Sequence, residues 1–109
     1  MLRYSWELVY KEMRVVSKRT LRDFWEKFPD SEDALKAWHT EAEAASWQTP
    51  ADIKEKYRSA SILKDSRAVF NICGNKYRLV VKINFKNAMV FIRFVGTHKE
   101  YDATDVEVV

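Results

Sequence analysis

A single cysteine, Cys73, is the only thiol in this 109-residue chain. That excludes an internal disulfide and any zinc site built from cysteine pairs. Cys73 itself reads as a small buried residue in a strand. Glycine and proline are scarce, two of each, and no glycine-rich phosphate loop is present. The two histidines, His39 and His98, have no carboxylate cluster at metal-ligand spacing, and no serine-nucleophile motif appears. No metal and no cofactor is therefore expected. No apolar run approaches the roughly 20 residues that span a bilayer. The first twelve residues hold Glu7, Lys11 and Glu12 but no basic-then-apolar signal pattern. Together these absences lead us to expect a cytoplasmic protein with no membrane role.

The formal net charge is only +3, but it is unevenly spread. Residues 53–99 carry 11 basic and 2 acidic side chains, whereas residues 30–52 carry 1 basic and 6 acidic ones. Residues 100–109 hold four acids and no base. A charge run is commonly a solvated face, but a net +9 on the segment that reads as a sheet favours a polyanionic partner.

The length suits one domain. We read residues 1–12 as an N-terminal extension and 13–109 as the domain. Arg14–Val16 forms a short first strand, and Ser17 is placed to cap the helix after it. Leu21, Phe24, Trp25 and Phe28 then recur at helical spacing until Pro29 stops them. Ser31 is expected to cap a second helix with the stripe Leu35, Trp38, Ala42 and Ala45. Thr49-Pro50 with Asp52 starts a short third helix through Ile53 and Tyr57. Trp25, Trp38 and Trp47 are expected in the core, and His39 as a structural or exposed residue.

The second half changes period. Ser61–Leu63 is a short strand, Asp65-Ser66 a turn. Three strands follow over 67–73, 76–85 and 88–95, joined at Gly74-Asn75 and Lys86-Asn87. The fold class expected is α+β: an N-terminal strand and two to three helices on one face of a mainly antiparallel sheet. Side chains alternate across a strand. Tyr77, Leu79, Val81, Ile83 and Phe85 should therefore face the helices, with Phe70, Ile72, Val90, Ile92 and Phe94. Asn71, Arg78, Lys82 and Arg93 should converge on the other face with Val69, Cys73, Val80, Phe91 and Val95. No carboxylate is expected there, and cations on neighbouring strands repel unless an anion neutralises them. The last strand runs into Thr97-His98-Lys99-Glu100-Tyr101-Asp102. An imidazole there, beside guanidinium groups, can exchange a proton near neutral pH.

The runs Val69-Phe70-Asn71, Gly74-Asn75, Tyr77-Arg78-Leu79-Val80-Val81, Phe91-Ile92-Arg93 and Thr97-His98-Lys99-Glu100-Tyr101-Asp102 resemble the HigB toxin family of the RelE superfamily. The resemblance spans roughly Met13 to Asp102. It implies a RelE-like fold and a type II toxin that acts as a ribosome-dependent messenger RNA endoribonuclease. The implied cleavage is attack of a ribose 2′-hydroxyl on the adjacent phosphate. By this resemblance Arg78, His98 and Tyr101 are catalytic candidates, and strand parity adds Arg93 beside Arg78: the arginines hold the phosphate and His98 moves the proton. Asn71, Lys82 and Lys99 are substrate-binding candidates, Asn71 holding a side chain or turn in place. The acidic tail (Glu100, Asp102, Asp105, Glu107) is expected at the rim. The partners implied are the ribosome, messenger RNA and a HigA-like helix-turn-helix antitoxin that alone would contact DNA. Two alternatives stay open: a non-catalytic RNA-binding module and a gyrase poison of the same superfamily.

Overall fold

The computed structural model describes residues 12–109, so the expected extension lies almost wholly outside the described residues. Among the described residues one strand, three helices, four strands and a final short helix follow in order, all but that last helix as the hydrophobic period predicts. They are β1 (Arg14–Val16), α1 (Lys18–Lys27), α2 (Glu32–Ala44), α3 (Pro50–Lys56), β2 (Ser61–Leu63), β3 (Arg67–Ile72), β4 (Tyr77–Asn84), β5 (Met89–Thr97) and α4 (His98–Asp102). The sheet order is β1-β5-β4-β3-β2. Only the β1–β5 pair is parallel, and the other neighbours run antiparallel.

The α1 stripe seals one sheet face, with Leu21, Phe24 and Trp25 buried. The helix ends where Phe28 N–H returns to the Phe24 carbonyl, and Pro29 follows in a 3₁₀ turn. From α2, Leu35, Trp38 and Ala42 pack onto Phe70, Ile72, Leu79 and Val81. Phe70 is the hub of this layer, with the rings of Trp38, Tyr57 and Trp47 at 5.3, 5.0 and 6.3 Å. Full burial of a ring that size supplies several kcal/mol, about 3–5 on truncation to alanine.

The two serine caps are not built as expected. Ser17 makes no side-chain cap bond, and the Ser31 hydroxyl donates back to the Phe28 carbonyl at 2.7 Å. Thr49 does cap α3: its hydroxyl accepts from Asp52 N–H while the Asp52 carboxylate accepts from Thr49 N–H at 3.2 Å. His39 is buried on α2, 3.7 Å from Glu43, and desolvation holds its pKa below the ordinary 6.5. Cys73 lies in the β3–β4 turn rather than in a strand. It is half-buried at φ 54°, on the helix side, with its thiol toward the Asp30 carbonyl at 3.1 Å.

Strand parity predicts the inward side of β4 correctly, since Tyr77, Leu79, Val81 and Ile83 all join the core. It fails at one residue of β5. Val81 pairs with Ile92 but Val80 pairs with Phe94, so Arg93 is the extra residue of a β-bulge. Beyond the bulge the faces exchange: Val95 turns to the helix side and Phe94 to the other, the reverse of the expectation. That other face is also not an open one. Val69, Arg78 and Val80 are buried on it, because α4 and the C-terminal segment fold back across the strands. Arg67 closes the far side, its Nε and Nη2 donating to the Val109 carbonyl at 3.2 and 3.0 Å.

Candidate active site

One end of this covered face is built around Arg78. The β3–β4 turn, with Cys73 and Gly74 both at positive φ, brings Asn75 back over the start of β4. Arg78 Nη1 donates to the carbonyls of Asn75 and Tyr77 at 3.1 and 3.3 Å, and Nη2 donates to Asn75 Oδ1 at 2.7 Å. A guanidinium has five N–H donors. Those bonds leave Nε–H and one Nη2–H, the side-on pair that fits two oxygens of a phosphate. Arg78 forms no ion pair among the described residues, so the charge is desolvated and uncompensated. The Tyr101 ring covers it, 5.7 Å from the guanidinium carbon.

The turn is braced from the helix side. Asp30 accepts from the Tyr77 hydroxyl at 2.6 Å and pairs with Lys76. The Lys76 ammonium first, then the Tyr77 hydroxyl, hold the Asp30 carboxyl below the ordinary carboxylate value.

The run from Thr97, to which the sequence reading assigns no element, is a helical turn. Thr97 caps α4, its hydroxyl accepting from Glu100 N–H at 3.1 Å while Glu100 Oε1 accepts from Thr97 N–H at 2.8 Å. Helical spacing then sets His98 over Asp102, and Nδ1–H donates to the carboxylate at 3.1 Å. That bond fixes the tautomer and leaves Nε2 as the nitrogen that can take a proton. Two acids of the tail expected at the rim take local roles here. Glu100 caps the helix and Asp102 orients the imidazole. Lys99 is exposed and forms no ion pair among the described residues.

The structure brings Arg78, Tyr101 and the His98-bearing helix together, because Arg78 pairs with Gly96 two residues before His98. Gly96 permits this: a Cβ there would lie 2.5 Å from Phe94 Cζ and 3.0 Å from Glu100 Oε1. Asn71 pairs with Arg78 on β3, and its Nδ2 makes a long contact to the Ser59 carbonyl at 3.4 Å. Arg93 does not join Arg78. Its guanidinium lies over the Phe91 ring at 5.7 Å, and it shares a cleft with Lys82 at the opposite end of the face. Four contributors were not singled out from the sequence: Asn75, Gly96, Phe94 and Asp102. One of them, Asp102, had a signal, the His-x₃-Asp spacing within the helix that the Thr97-x-x-Glu100 capping box announces.

Among the described residues no cluster of His, Cys, Asp and Glu could hold a metal, and no helix is long and apolar enough to cross a membrane.

Residues 31–104 match the model of a RelE-like toxic component of a toxin–antitoxin system. The family is that of the HigB toxin, and the chain belongs to it. Membership implies an antitoxin partner. The chain is 33% identical over 92 residues to the mRNA interferase toxin HigB of Escherichia coli strain K12, covering 83% of this chain and 88% of that one. The mRNA interferase HigB of Shigella flexneri matches equally, and that of Escherichia coli O6:H1 is 25% identical over the same length.

Proposed function

We propose that this chain is an mRNA interferase, the toxin that stops translation by cutting messenger RNA. The observation that carries this reading is the desolvated Arg78 guanidinium, without an ion pair among the described residues and covered by Tyr101 of the same short helix that carries the His98–Asp102 pair. One group suits a phosphate and the other suits proton transfer. The 2′-hydroxyl attacks the adjacent phosphorus, the bond to the 5′-oxygen breaks, and the products are a 2′,3′-cyclic phosphate and a 5′-hydroxyl. The free donor edge of Arg78 holds the phosphate and stabilises the charge that builds as the fifth oxygen arrives. His98, oriented through Nδ1 by Asp102, exchanges the proton at Nε2 with the attacking or leaving oxygen. Tyr101 and Lys99 position the nucleotide, and Asn71, opposite Arg78 in the register, steadies the α3–β2 loop through the Ser59 carbonyl. The ribosome presents the message, and a HigA-like helix-turn-helix antitoxin silences the toxin and alone reads DNA.

Expression without the antitoxin should halt growth, with new RNA 5′ ends gathering inside translated reading frames. Intact message with accumulating DNA breaks would instead indicate a gyrase poison. Message bound tightly to the protein and left whole for hours would indicate a binding module.

A further inference from the structure

The bulge at Arg93 separates the cations of this face into two groups that point apart. Arg78 reaches back along β4 toward Asn75 and Tyr101. Arg93 turns the other way, onto Phe91. Lys82 sits between Arg67 and Phe91 in the strand register, four residues along β4 from Arg78, a separation of about 13 Å. Lys82, Arg93, Phe91, Lys86, Asn84 and Ser66 line an open cleft. No carboxylate lines it, and none of its cations has an ion-pair partner among the described residues. Asp65, the acid nearest in sequence, is 3.8 Å from Arg67.

An aromatic ring with a guanidinium over it, flanked by ammonium groups, is the surface on which single-stranded RNA places a base and its phosphate. We infer that this cleft is a second RNA subsite, which holds a nucleotide of the substrate strand outside the cleaved step. The base stacks on the Arg93–Phe91 pair, and the phosphate lies between Lys82 and Lys86. Arg93 is thus a binding residue remote from the reacting atoms, and the catalytic phosphate belongs to Arg78. The inference rests on the RNA-cutting reading above, but it makes a different kinetic demand.

The test compares Arg93→Ala, Phe91→Ala and the native chain in single-turnover cleavage on programmed ribosomes. One message is long and one is trimmed close to the cut on either side. Binding of a free RNA oligonucleotide with a 2′-deoxy residue at the cut is measured in parallel. Each variant should raise the half-saturating concentration on the long message roughly tenfold, the scale of one lost stacking contact. The maximal rate should stay within about twofold, as expected when only uniform binding is lost. One of the trimmed messages should erase the difference. Lys82→Ala should flatten the dependence of log affinity on log salt by about 0.7, one phosphate contact on a single strand. Three results would overturn the subsite: a fall in maximal rate without a change in half-saturation, no effect of either variant, or an effect that survives trimming on both sides. If the native chain cuts nothing, the enzyme reading fails. The oligonucleotide arm then decides the subsite alone, with weaker binding in both variants supporting it and unchanged binding overturning it.

Discussion

The two ends of one sheet face solve different problems with the same residue type. At the Arg78 end the guanidinium is buried, donates twice to Asn75 and once to the Tyr77 carbonyl, and is roofed by Tyr101. At the Arg93 end it is exposed, on a bulge, with only a phenyl ring beneath it. A fixed, desolvated donor is ready for charge that develops in a transition state, because little reorganisation is needed when the reaction occurs. A solvated one contributes contact and affinity. Arginine count alone carries no such distinction; what each guanidinium is packed against makes it.

The largest effects should come from the packed end. His98→Ala should lower the maximal cleavage rate by about 10²–10⁴, the range for a lost proton-transfer group. Arg78→Ala should lower it by about 10²–10³, the range for one lost charge stabiliser. Arg93→Ala with equal loss of rate would erase the contrast between the two ends. Asp102→Asn should reduce the rate by less than His98→Ala and alter its pH profile, since the imidazole stays but its tautomer is no longer held. A pH profile identical to that of the native chain would show that Asp102 does not orient the imidazole.

Gly96→Ala comes next, and it strikes the packing behind the Arg78 end, where Gly96 pairs with Arg78. The new methyl would meet Phe94 Cζ at 2.5 Å and crowd the Glu100 side of the capping box. Overpacking of this kind costs about 1–3 kcal/mol. Denaturant unfolding should show that loss, and cleavage should fall with it. Pairing it with Phe94→Leu, which removes the ring, should restore part of both. No recovery in the double variant would mean that the crowding is not with Phe94.

The smallest effect lies off the face altogether. His39 is kept neutral by burial, so its folded-state pKa is below the ordinary 6.5. The unfolded chain then takes up a proton first as pH falls. Stability should decline as pH drops through about 6.5 toward the lower folded value, with Glu43 partly offsetting and Lys18 reinforcing the trend. His39→Gln should flatten thermal stability over that range without changing cleavage by the folded protein. Native-like pH dependence in the variant would assign the titration elsewhere.

Most elements were legible because local signals repeat along the chain. The helical stripe from Leu21 to Phe28, the Thr49-Pro50 cap and the alternation from Tyr77 to Ile83 each state their own structure. His98, Arg78 and Tyr101 were also visible as candidates, through residue type and through the family resemblance. The α4 turn escaped because the last strand is read as ending at Val95 and the run after it carries no element in that reading, although its capping box is written in the sequence.

The sequence by itself determined the periods, the helix starts, the inward row of β4 and the concentration of positive charge on the sheet. Tertiary structure decided which cations share a site. A single extra residue opposite Val80 and Val81 reverses the faces of β5, because side-chain direction has a period of two and one inserted residue shifts it by half. The burial of Arg78 was likewise decided at a distance. Asn75 in a turn, Tyr101 on a helix and the absent Cβ of Gly96 meet only when the strands are in register. No local pattern records that meeting, since the residues involved lie on separate elements and only the pairing of β4 with β5 brings them within reach.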